Sequence, residues 1–149
     1  MEPAFYRNLG EIEAVVHKFE SCEYGVKDFD HGKHLAVAAW YLGHFSFENA
    51  LARMRSSLVR FTAHHGVKGY HETITRFWLE LVAAHLHTAP AGSCLTDVVH
   101  QLVRVYPDKN ILFDYYTREV VMSDEARERW VAPNLKALPQ ITSPVSPSH

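Results

Sequence analysis

The stretch HHGVKGYHET at residues 64–73 gathers three histidines, a glutamate, a tyrosine and a threonine around two glycines. A second stretch, FDHGKHL at 29–35, adds His31 and His34 at i, i+3 spacing, which sets two imidazoles on one helical face. Imidazole nitrogen and carboxylate oxygen are the donors a divalent metal ion takes three or four at a time. His31, His34, His65 and His71 are the expected ligands of such an ion. An open position on it would acidify a bound water enough for hydrolytic chemistry near neutral pH. Glu72 points about 100° away from its neighbour His71 on a helix, so the two cannot easily share one coordination shell. It fits better as a general base, or as the group that orients an imidazole. Without a metal, His71 and Glu72 form an acid–base pair whose proton affinities burial would separate. Tyr70 would donate a hydrogen bond at the pocket mouth, and Arg76 would anchor a ligand's carboxylate or phosphate.

Every one of these residues also has a plainer reading. His31 and His34 open a helix, where polar side chains meet solvent or cap free amides. His64 falls off the apolar stripe, and His85, His87 and His100 read as surface or locally satisfied groups. Tyr70 and Trp78 are ordinary packing residues on this view, Thr73 and Thr75 simply start a helix, and Arg76 forms an i, i+4 ion pair with Glu72.

The elements that must position these groups are helical. In 46–65, Ser46 is the N-cap and Glu48 supports the first turn, while Phe47, Leu51, Met54, Leu58 and Phe61 trace one face. Gly66 stops that helix. A following helix spans about 69–88, burying Ile74, Phe77, Trp78, Leu81 and Val82. Shorter helices are expected at 10–22 and 31–43, then at 95–106 ahead of Pro107, near 109–117, and from Ser123. The fold class is therefore all-α: one domain over 1–138, a bundle of five to seven helices, and a flexible Pro/Ser-rich tail at 139–149. Two tight connections, near 43–46 and 66–69, make the second, third and fourth helices antiparallel neighbours. They bring His31 and His34, His64 and His65, and His71 and Glu72 to one end of the bundle. The second helix is about 20 Å long and the third nearly 30 Å, roughly. His31 and His34 should then lie one or two turns below His65.

Bulk properties narrow the function classes. The chain has 149 residues, 47% of them hydrophobic and 21% charged, which suits a compact soluble domain. A formal charge of −2, with basic residues interleaved rather than massed, gives no case for nucleic acid. No window reads as a membrane span or signal peptide, and Cys22 and Cys94 read as free thiols of a cytoplasmic protein. There is no HExxH, P-loop, GxGxxG or GxSxG sequence.

The strings FDHGKHLAVAAWYL and HHGVKGYHETITRFW resemble a small uncharacterised bacterial family of helical proteins, with F-x-H-x-x-H-L and Y-H-E-T as the shared features. The resemblance covers about the middle third of the chain and implies one compact bacterial domain, with no established activity attached. Two function classes remain. In the first, a histidine-rich pocket binds a divalent metal or small polar ligand, with acid–base or hydrolytic chemistry. In the second, a non-catalytic module presents a ligand or protein-interaction surface, a homodimer face included.

Overall fold

The computed structural model describes residues 6–139 and is all-α, with no strand among the described residues. Five longer helices carry the bundle: α1 (Leu9–Glu20), α2 (His31–His44), α3 (Phe47–His65), α4 (Glu72–Thr88) and α5 (Leu95–Val105). A 3-10 turn at Lys109–Ile111 leads into three short helices, α6 (Leu112–Tyr115), α7 (Arg118–Val121) and α8 (Asp124–Glu128). The tail expected at 139–149 lies, Pro139 apart, outside the described residues.

α2 is the central helix. Its segment Leu35–Ala39 is fully buried, and the helix packs against α1, α3, α4 and α5. A helix that is apolar on all sides belongs inside, and the alanines at 36, 38 and 39 let its neighbours come close. Around it the core collects Ile12, Phe19, Met54, Phe77, Leu81 and Leu102.

The helix ends follow local chemistry. Ser46 caps α3 by accepting the Asn49 amide at 3.2 Å, and Gly66 ends it in the left-handed region at φ 63°. Asp30 caps α2 through the Lys33 amide at 3.0 Å. α4 begins at Glu72 rather than near residue 69, because the His71 ring itself is the N-cap. The segment after α8 is extended and tied down. Thr73 Oγ1 donates to the Arg129 carbonyl and accepts the Val131 amide, while the Tyr116 hydroxyl donates to the Val131 carbonyl. Thr73 is completely buried, so this double bond satisfies a hydroxyl that would otherwise destabilise the core.

Candidate functional site

Where the start of α2, the C-terminal half of α3 and the start of α4 meet, an open cleft of about 770 Å³ enters the protein. Phe29, Leu58, Ile74 and Trp78 form its apolar wall, and His31, His34, Tyr70, His71, Thr62 and Thr75 supply its polar atoms. The exposed residues Lys27, Asp30, Asp108 and Lys109 set two charges of each sign at its edge. α3 contributes Leu58 and Thr62, two turns and one turn before His65, so the register offset expected from the helix lengths is present.

The cleft histidines differ sharply in what they do. His31 Nε2 donates to the Tyr106 carbonyl at 2.9 Å, and its ring meets the edge of Trp78 at 4.7 Å between centroids. Burial lowers its pKa, partly offset by that carbonyl bond. His71 is committed at both nitrogens: Nδ1 accepts the Ile74 amide at 3.1 Å, and Nε2 donates to the Val121 carbonyl at 2.8 Å. That pair of bonds fixes one neutral tautomer. Burial also lowers the His71 pKa, which keeps the capping nitrogen unprotonated. His34 has no hydrogen-bond partner at either ring nitrogen among the described residues. Its ring lies edge-on to Phe29 at 6.1 Å, enclosed by protein yet still partly reachable from the cleft. Burial, and then the neighbouring His31, pull its pKa from 6.5 to about 4. At neutral pH His34 is an uncharged imidazole with an unused donor and an unused acceptor.

Four of the expected site residues, His31, His34, Tyr70 and His71, thus border one cleft, and the others do not. His65 turns away, its Nε2 donating to the Tyr24 carbonyl at 2.8 Å and its ring packed on Phe61. Among the described residues no group of three or more His, Cys, Asp or Glu side chains is arranged to hold a metal ion. The set of His31, His34, His65 and His71 therefore does not converge as a coordination shell. His71 has both ring nitrogens committed, and His65 lies outside the cleft, its Nε2 on the Tyr24 carbonyl.

His71 and Glu72, the expected acid and base, are each engaged with other groups. Glu72 is bound bidentately by Arg55, at 2.9 and 2.7 Å, and also accepts the Tyr70 hydroxyl at 2.8 Å. The Arg55 guanidinium holds the Glu72 carboxyl below its usual range, the wrong direction for a base poised near neutrality. The Tyr70 hydroxyl donates to Glu72, so its hydrogen is already spent. Arg76 pairs with Glu80 at 3.2 Å and stacks over Trp130 at 4.5 Å, so it neither pairs with Glu72 nor borders the cleft.

Sequence reasoning passed over Leu58, Thr62 and the 107–109 segment as cleft residues. The last of these carried no local signal, because the His31 bond to Tyr106 joins residues 75 positions apart. No helix among the described residues is long and apolar enough to cross a membrane. No family model matches the chain, and no curated protein or solved structure matches it either.

Proposed function

We propose that this protein binds a small organic molecule in the cleft between α2, α3 and α4, with His34 as its central polar contact. The observation that carries the reading is the unpaired His34 imidazole facing a largely apolar cleft of about 770 Å³. That volume lies within the roughly 300–1,000 Å³ range of small-molecule sites, which typically pair apolar walls with a few polar atoms. Buried polar groups are nearly always satisfied, so a ring with two idle nitrogens is a position held ready for something that arrives. A bare divalent ion is the weaker occupant on this reading, since among the described residues no three His, Cys, Asp or Glu side chains are grouped to hold one. Acid–base chemistry, if the bound molecule reacts, falls to His34 and not to His71 or Glu72, whose atoms are already engaged.

The test is a fragment screen followed by histidine ring nitrogen NMR. Compounds that occupy the cleft shift the His34 ring signals strongly and the His65 signals little. His34→Leu abolishes the polar part of their affinity while leaving circular dichroism unchanged. Fragments that bind without moving His34 resonances, or bind His34→Leu equally, would remove the cleft from consideration.

A further inference from the structure

The hydroxyl and N–H donors around the cleft are spent on other groups of the protein. Thr62 Oγ1 donates to the Val59 carbonyl, Thr75 Oγ1 to the His71 carbonyl, and the Tyr70 hydroxyl to Glu72. His31 and His71 each spend their Nε2 hydrogen on a carbonyl, those of Tyr106 and Val121. What these groups leave unused is acceptor capacity: lone pairs on the Thr62 and Thr75 hydroxyl oxygens and on His31 Nδ1, the Tyr70 oxygen being engaged by Thr75 and Arg55. His34 adds one further acceptor nitrogen and a single N–H. The charges at the edge cancel, Lys27 and Lys109 against Asp30 and Asp108. The lysines that line the cleft, Lys27 and Lys109, are both exposed and each is matched by an acidic residue, and no arginine lines it.

From this polarity we infer that the cleft selects an uncharged aromatic molecule that brings its own O–H or N–H donor, of the phenol or indole class, and rejects carboxylates and phosphates. The inference rests on the ligand-binding reading above and adds the class of ligand. The aromatic preference follows from the wall, where the half-buried Phe29 and Tyr70 offer ring surface to a flat guest, with the buried Trp78 beside them. The donor preference follows from complementarity. A guest O–H finds several acceptors, whereas a guest carboxylate must be desolvated against hydroxyl and imidazole lone pairs with one N–H to receive it. Discrimination of this kind is strong, because a site lined with committed polar atoms penalises a mismatched guest more than it rewards a matched one.

The experiment uses the full chain and a set of two-ring probes of nearly equal size: 2-naphthol, 2-methoxynaphthalene, 2-naphthoate and decahydro-2-naphthol. Isothermal titration calorimetry near pH 7 gives the affinities, and histidine ring NMR reports the place of binding. The expected order is 2-naphthol first, with 2-methoxynaphthalene about tenfold weaker for want of the donated hydrogen bond. Decahydro-2-naphthol falls below 2-naphthol, and 2-naphthoate gives no measurable binding. In His34→Leu the advantage of 2-naphthol over its methyl ether shrinks to about threefold or less. The probe series in the unaltered protein stands by itself if that variant folds poorly. Equal binding of naphthol and its ether, or tightest binding of naphthoate, overturns the donor inference while the ligand-binding reading survives. Binding of decahydro-2-naphthol above 2-naphthol overturns the aromatic preference alone. No binding by any probe, with unmoved histidine signals, overturns both readings.

Discussion

Acidification should destabilise this protein in a window that belongs to His34. Its folded pKa, about 4, lies below the ordinary 6.5, so as pH falls the unfolded chain takes up the proton first. The stability due to keeping this ring neutral is complete above about pH 6.5, declines below it, and stops declining under about pH 4. That gap corresponds to a ceiling of about 3 kcal/mol. The ring remains partly reachable from the cleft, which screens the charged form, and the loss to expect is between about 1 and 3 kcal/mol. Urea unfolding of the wild type and His34→Leu, followed by circular dichroism from about pH 7 to about pH 4, measures it. His31 and His71 have lowered pKa values too and titrate in both proteins, so the difference between the two curves isolates His34. Glu72, whose carboxyl is held below 4.5, begins to lose its contribution only at the acid end of this range, and it does so in both proteins. Parallel curves for the two proteins across the window would refute the claim that His34 is desolvated and unpaired.

Other consequences are equally open to measurement. His71→Ala removes a helix cap and the bond to Val121, and should cost about 1–2 kcal/mol in urea unfolding, with His71→Asn recovering much of the capping part. Thr73→Val leaves the Arg129 carbonyl and the Val131 amide without their buried partner. A loss of about 1–3 kcal/mol and faster proteolytic cleavage after α8 are expected. Glu72→Gln weakens a pair whose arginine is largely exposed, and unfolding midpoints should register less than about 1 kcal/mol. Ala38→Leu, at the crowded centre of α2, should cost about 1–3 kcal/mol by overpacking, visible as a lowered melting temperature.

The parts of the fold readable from sequence were those governed by neighbours in the chain. Ser46 and Gly66 bound α3 as their types require, and the short connections bring α2, α3 and α4 to a common end. Imidazole roles were less readable, because each depends on a carbonyl that arrives from elsewhere. His31 is answered by Tyr106, His65 by Tyr24 and His71 by Val121, at sequence separations of 75, 41 and 50. Histidine is also an uncommon N-cap, so YHET looks like the first turn of α4 when its second residue in fact precedes the helix. Arg55 reaches Glu72 because α3 packs against α4, a pairing that no local i, i+4 rule contains. His34 stands apart from these cases. Its availability is visible only once every neighbour has been seen to satisfy itself without it.

The bonds from His71 to Val121 and from Thr73 to Arg129 and Val131 have a consequence for the order in which the protein is made. Both histidine segments leave the ribosome well before the strap that fastens the first turn of α4. A nascent chain can therefore pack its central helix early while the α4 wall of the cleft is still unfastened. The cleft side of α4 is thus fastened only once synthesis has passed residue 131, about sixty residues after the helix begins.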